Sequence, residues 1–439
     1  MSTTRIPADP TGDLATTEVG GDLIGSGQEG NLMDQVRAWL QRVRGGDMGA
    51  LPAVAGFVVL SVLFSVLSPF FLTERNFANL MTQAATLVTL GMALVFVILL
   101  GEIDLSAGVT AGVTMCIFIV LVNVQGVNWI VALVIAFAIG ILIGTLIGFF
   151  VARIGIPSFV VTLGLFLGLQ GVELIVIGAG GLYRVQIPEI RAIQNSNLPI
   201  WGGWVVLAVM LIVSTATSIL DRRRRTKAGV PNRTIMLLWA KLGAIAVLGG
   251  FAVFRLNQNR GQPPTILNGE EVGGNVIEGV PIVVPIVLII LWIGTFVLDR
   301  TKYGRYIYAI GGNAEAARRA GIKIITVRWT AFIVCSTLAV FAGLFSISKV
   351  GSVDAAAGRD LVLSGVAAAV VGGVSLFGGR GRLIHAAIGA LVIAVITNGL
   401  GLLNLPAGVN YAVTGGVLIL AATVDAVSRT RAGGTILRT

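Results

Sequence analysis

The feature that most constrains this chain is a succession of apolar runs, each close to the length of one membrane crossing. A helix needs about 20 apolar residues to traverse a bilayer's hydrocarbon core. Twelve such runs follow one another, near 51–71, 79–100, 105–124, 128–150, 157–178, 203–220, 234–254, 280–298, 327–349, 361–377, 383–403 and 409–426. The run at 361–377 is the shortest and the richest in Ala and Gly. A soluble fold could not hide them. Of 439 residues 55% are apolar and 12% charged, against about 25% charged in an ordinary soluble domain. None of the runs alternates apolar and polar residues as barrel strands do. The expected fold is therefore an all-α polytopic membrane protein with about 12 transmembrane helices.

Basic residues give the orientation, because cytoplasmic loops collect Lys and Arg. With the N-terminus inside, 23 of the 31 basic residues fall on the inner side and seven on the outer. The inner set includes Arg222–Arg225 and the stretch from Arg300 to Arg328; the outer set is Arg75, Arg184, Arg191, Arg255, Arg260, Lys349 and Arg359. Both termini are thus expected in the cytoplasm. The net charge of +10 reads as this asymmetry, not as the mark of a nucleic-acid partner. The chain divides into a tail (1–50) with a short interfacial helix at Leu32–Arg44, a transmembrane domain (51–426) and a second tail (427–439).

Few residues invite catalytic or metal chemistry. The single histidine, His385, excludes a multi-histidine centre. Cys116 and Cys335 lie inside apolar runs and read as small core residues. No Gly-x-x-x-x-Gly-Lys-Ser/Thr pattern occurs, so the glycines between Gly365 and Gly381 are not a nucleotide loop. Gly140, Gly144 and Gly148 recur every fourth residue, the spacing that lets two helix backbones approach closely in lipid. The chain is expected to be a non-enzyme that binds no cofactor of its own.

Two stretches could carry function. In Gly101-Glu102-Ile103-Asp104-Leu105-Ser106-Ala107-Gly108, two acids sit between apolar runs. Acids at membrane depth usually face a cavity or a partner, and the flanking glycines permit a broken helix, the common geometry of transport sites. The alternative is a surface turn in which Asp104 caps the next helix. The second stretch, Tyr303 to Ile322, is longer than a connection between two spans requires. Asn313 is a good N-cap, alanines follow, and Gly321 supplies a stop. Asn313–Ile322 reads as a cytoplasmic docking helix of about three turns.

These residues resemble the permease subunits of bacterial ABC sugar importers of the ribose/xylose class, from about Leu72 to Asp425. The most specific matches are Glu102-Ile103-Asp104-Leu105-Ser106-x-Gly108, Pro157-Ser158-Phe159-Val160-Val161-Thr162-Leu163, Gly304-Arg305 through Gly311-Gly312-Asn313 to Glu315-Ala316-Ala317, and Asn398-Gly399. An inserted pair of runs, 203–254, and Gly261-Gln262-Pro263-Pro264-Thr265 are similar to the xylose-type members. The sequence departs from the family near Val362 and Ser364, where acids are usual; here the acid is Asp360.

The resemblance implies a monosaccharide path in an inner-membrane protein. Glu102, Asp104, Ser106, Thr162 and Asn398 are the path candidates. It assigns the cytoplasmic segment 299–326 to coupling with an ATPase, through Gly304, Arg305, Gly311, Gly312, Asn313, Glu315, Ala316, Ala317, Arg318 and Gly321. It also implies a homodimer, separate ATPase subunits that bind the ATP, and an extracytoplasmic sugar-binding protein. The competing reading is an ion-coupled secondary transporter using Glu102 or Asp104.

Overall fold

The computed structural model describes residues 49–178, 180–229, 232, 234–262, 265–267, 270–272 and 274–431. The expected interfacial helix at Leu32–Arg44 lies outside the described residues.

Each of the twelve expected runs holds one helix: α1 Leu51–Leu67, α2 Glu74–Ile98, α3 Ala107–Asn123, α4 Trp129–Gly148, α5 Ser158–Ile177, α7 Ile200–Lys227, α8 Ile235–Leu256, α9 Val283–Arg300, α12 Ile324–Val350, α13 Arg359–Val371, α14 Leu383–Leu402 and α15 Ala407–Arg431. Among the described residues three further α-helices are short, α6 Pro188–Asn195, α10 Lys302–Gly312 and α11 Ala314–Arg319, and a π-helical turn, Phe149–Ile154, continues α4. Among the described residues nine helices are long and apolar enough to cross a membrane; α1 and α3 are apolar but have 17 residues each. The connections add two small antiparallel ladders. One pairs β1 (Leu182–Arg184) with β4 (Ser352–Asp354); the other pairs β2 (Thr265–Leu267) with β3 (Glu270–Val272).

The core is the pair α2 and α12, which run antiparallel. Glu102 just beyond α2 meets Arg328 near the start of α12, and Lys349 near the end of α12 meets Asn79 and Thr82 near the start of α2. The Gly140-Gly144-Gly148 stripe of α4 packs on α12 as expected. Added Cβ atoms there would lie 2.4 Å from Val340, 2.7 Å from the Ile333 backbone and 2.3 Å from the Trp329 ring. On the other flank α13 and α14 pack on α2, with Gly91 against Ala368 of α13 and Ala386 of α14.

The pair α7–α8, expected from sequence to be an insertion, is peripheral. Its two helices pack on each other through Gly203 against Val253 and Gly249 against Leu207. The Arg255–Glu74 ion pair (2.9 Å) ties it to the start of α2, and the Asp221–Arg300 pair ties it to the end of α9.

These contacts sort the connections onto two faces. One gathers Arg300, Arg328 and the 374–382 loop with the end of α2. The other gathers β1–β4, α6 and Lys349 with the start of α2, Gln194 bonding Ser348 at 3.0 Å. That division matches the sorting of basic residues read from sequence.

One expected span is corrected. The run 361–377 is helical only over Arg359–Val371, 13 residues or about 20 Å, short of a ~30 Å core. Gly372 and Gly373 end it: Gly373 has φ +93°, and a Cβ on Gly372 would lie 1.9 Å from the His385 carbonyl oxygen.

Candidate functional site

The chain leaves α2 at Ile98 and turns on Gly101, whose φ of +77° suits glycine. The following segment is held by the first turn of α5. The Ile103 N–H donates to Ser158 Oγ (3.2 Å), and Thr162 Oγ1 donates to the Ile103 carbonyl (3.2 Å). Asp104 Oδ1 accepts from the Ser106 N–H (2.9 Å) and from Ser106 Oγ (2.6 Å). Asp104, Ser106 and Thr162 are fully buried. Glu102 Oε1 lies 3.1 Å from Arg328 Nε, which fastens the segment to α12.

Two sequence expectations change here. Asp104 does not cap α3; the cap position is Ser106, without a side-chain bond, and Asp104 instead closes the turn before it. Nor does it lie at a surface. The segment enters the protein until Gly108 meets Gly358, where a Cβ on Gly108 would lie 2.5 Å from the Gly358 carbonyl oxygen. Buried carboxylates need partners, which explains Asp104's paired hydrogen bonds; its Oδ2 has none.

Asn398 stands apart from the other four path candidates. It forms a reciprocal amide pair with Asn76, 2.9 Å each way, at the start of α2, about 30 Å along that helix from Glu102. There it joins α14 to α2.

The stretch expected to carry one docking helix of three turns carries two helices. Thr301 caps α10 through the Gly304 N–H (3.2 Å). Asn313, in an extended conformation, breaks the chain after Gly312 and caps α11 through the Ala316 N–H (2.9 Å). Gly321, at φ +80°, ends the stretch as expected. Thus α11 has six residues. Ala317 is buried; Ala316, Ala320, Glu315, Arg318 and Arg319 are exposed. Glu315 pairs with Arg319 (3.3 Å) and lies 3.8 Å from Arg318, all on the open side of α11.

Behind this exposed face lies a backbone junction. A Cβ on Gly311 would lie 1.8 Å from the Leu99 carbonyl oxygen and 2.6 Å from the Gly379 nitrogen, while the Gly379 N–H donates to that same Leu99 carbonyl (2.9 Å). Three elements therefore touch main chain to main chain: the end of α10, the end of α2 and the 374–382 loop. Gly304 is equally tight, 2.0 Å from the Leu298 carbonyl oxygen. Tyr308 donates to the Gly381 carbonyl (2.9 Å), and burial pushes its hydroxyl up to about 12, so the bond persists at physiological pH. Gly312 and Arg305 do not enter the junction: Gly312 has open space where a Cβ would project, and Arg305 is exposed.

Comparison with known proteins decides the family. Residues 76–422 match the family described as branched-chain amino acid transport system / permease component. The chain belongs to this family. It is a multi-pass inner-membrane protein. It is 31% identical over 384 residues to the xylose transport system permease protein of Escherichia coli (strain K12), covering 85% of this chain and 92% of that one. The ribose import permease protein of the same organism is 27% identical over 389 residues, 89% and 95% of the two chains. A probable ABC transporter permease of Sinorhizobium fredii is 30% identical over 290 residues, 64% and 82%. No solved structure matches the chain. The matched region takes in both the buried turn and the α10–α11 segment.

Sequence reading missed the second half of the site. Gly351-Ser352-Val353-Asp354-Ala355-Ala356-Ala357-Gly358 repeats the pattern of Gly101–Gly108. Gly351 also has φ +77°, and Asp354 Oδ1 accepts the Ala356 N–H at 2.9 Å, as Asp104 does from Ser106. The signal was present as Gly-x-(Ile/Val)-Asp-x-x-Ala-Gly, once after each of the two core helices.

Proposed function

We propose that this permease component forms the translocation path of an ATP-driven sugar importer, carrying a xylose-like pentose or related monosaccharide. The xylose and ribose permeases it resembles over most of its length support the substrate class. In this reading two copies of the chain assemble with two ATPase subunits, and an extracytoplasmic binding protein delivers the sugar. ATP is bound by the partner, not by this chain.

The observation that carries the coupling is the Gly311–Leu99–Gly379 junction. A displacement of α10 and α11 meets rigid main chain, so it passes to α2 and to the turn bearing Asp104 instead of being absorbed by a loop. The exposed Glu315, Arg318 and Arg319 then form the face offered to the ATPase. Ser106 and Thr162 organise the turn around Asp104. The ion-coupled alternative finds no support in the relatives, and Glu102 is engaged by Arg328.

The test is transport in inverted vesicles supplied with the matching binding protein. ATP-dependent sugar movement that survives collapse of the ion gradients, with an ATPase copurifying, is the expected result. Movement driven by an ion gradient without ATP would overturn it.

A further inference from the structure

A cavity of about 310 Å³ lies at the membrane-facing margin, walled by α1 and α15 and floored by α13 and α14. Its lining changes along its length. Leu60, Val392, Val417 and Leu420 line one part; Ser375, Arg380 and His385 line the other. Among the described residues that line it none is acidic. The polar part adjoins Gly381, whose carbonyl receives the Tyr308 hydroxyl, so it lies on the face of the α10–α11 segment.

Two helices begin at this polar end. Both α1 and α14 start there without a side-chain cap and without an acid in the first turn. Gly373 packs on the Gly49 backbone, and Gly49 lies beside the His385 ring, which brings the two starts together. The helix dipole gives each start a partial positive charge. Arg380, exposed at the rim, adds a full one. The site thus offers positive charge at the level of one membrane surface and an apolar slot beneath it.

We propose that this cavity binds one anionic phospholipid of the inner leaflet, its phosphate at Arg380 and the starts of α1 and α14, one acyl chain between α1 and α15. Charge complementarity selects the occupant: basic recesses between spans on the cytoplasmic side receive anionic head groups, and a zwitterionic lipid would leave the site's positive charge unbalanced. The lipid would brace the 374–382 loop, which also forms the junction with α10.

The experiment titrates the delipidated full-length protein, in mild detergent, with phosphatidylglycerol or with phosphatidylcholine of identical acyl chains, read by native mass spectrometry. One phosphatidylglycerol should be retained at least about tenfold more tightly than phosphatidylcholine, a difference set by one charge contact. Arg380→Gln should remove most of that preference, and Val417→Trp, which fills the slot, should remove retention of both lipids. Thermal unfolding of each variant checks that it is folded. Equal retention of the two lipids by the native chain, or a preference unchanged in Arg380→Gln, overturns the proposal. So does an Arg37→Cys/Leu60→Cys chain that forms a disulfide in untreated membranes, because the chain's own N-terminal segment would then occupy the slot.

Discussion

The turn after α2 and the turn after α12 are the same device in two settings. Both begin on a glycine at φ +77° and both fold an aspartate back onto the N–H two residues ahead. They approach from opposite ends of the antiparallel α2–α12 pair and meet inside, Gly108 against Gly358. Each is followed by a shortened helix, because irregular chain has already crossed part of the depth. Irregular backbone at such depth survives only when buried in protein or lining a cavity.

The settings differ. Asp104 is fully buried and its turn is clamped by Ser158, Thr162 and Arg328; Asp354 is exposed, and its turn is held by the three-residue ladder with β1. The first turn also backs onto the α10 junction. If the proposed coupling holds, the contrast implies a division of labour: the more heavily clamped turn, next to the α10 junction, receives the displacement, and the more exposed one yields to it.

The largest effect expected from that contrast is at the junction. Gly311→Ala drives a Cβ into the Leu99 carbonyl, where main chain cannot step aside. Overpacking of this kind costs about 1–3 kcal/mol, and uptake should fall by about tenfold or more at unchanged membrane abundance. Gly312→Ala, one residue on and facing open space, should leave uptake near normal. Equal uptake by the two variants would mean that the junction transmits nothing.

A smaller but more diagnostic pair is Asp104→Asn with Asp354→Asn. The first weakens two hydrogen bonds to a buried acid, each worth about 0.5–1.5 kcal/mol. The second alters an exposed turn, where changes usually stay within about 0.5 kcal/mol. Uptake at matched abundance should drop strongly for Asp104→Asn and barely for Asp354→Asn. The reverse order would exchange the roles given to the two turns.

Gly351→Ala isolates the cost of the turn's geometry. A left-handed residue with a Cβ costs roughly 1–2 kcal/mol, and open space surrounds this one. A lower unfolding midpoint with near-normal uptake is expected. Loss of uptake without loss of stability would show that the outer turn is also rigid in operation.

How much of this was legible beforehand follows from the range of the forces involved. The runs were readable as helices because the bilayer favours one polarity and a common length; the 13 residues of α13 were not, because Gly372 and Gly373 end it through contacts distant in sequence. Asn313 and Gly321 were readable because capping is local. The number of turns in α11 was not: the alanines and the stop at Gly321 read as a helix reaching Ile322, whereas it ends at Arg319. Nor was the reason glycine stands at 311, which only the close approach of Leu99 explains. Asn398 was placed among the path candidates by the resemblance, yet its partner is Asn76, 322 positions away. Burial of Asp104 was equally hidden, because it depends on α5 and α12 folding over a turn that in isolation resembles a surface loop.

The smallest effect expected tests what the docking face uses for contact. Arg319 and Glu315 pair on α11 with both side chains more than half exposed. Such pairs contribute about 0–1 kcal/mol, and salt screens them within about 10 Å. Arg319→Ala should therefore leave ATPase copurification and uptake within about twofold of the native chain. Ala317 is different: it is 4% exposed, on the inner side of α11. Ala317→Trp should dislodge α11 and with it both the docking face and the path of force to Gly311. If Arg319→Ala alone detaches the ATPase, docking runs on charge, and the rigid junction behind α11 is scaffolding instead of transmission. If Ala317→Trp keeps full association and full uptake, the segment does not couple at all, and the difference between the two turns must be explained without it.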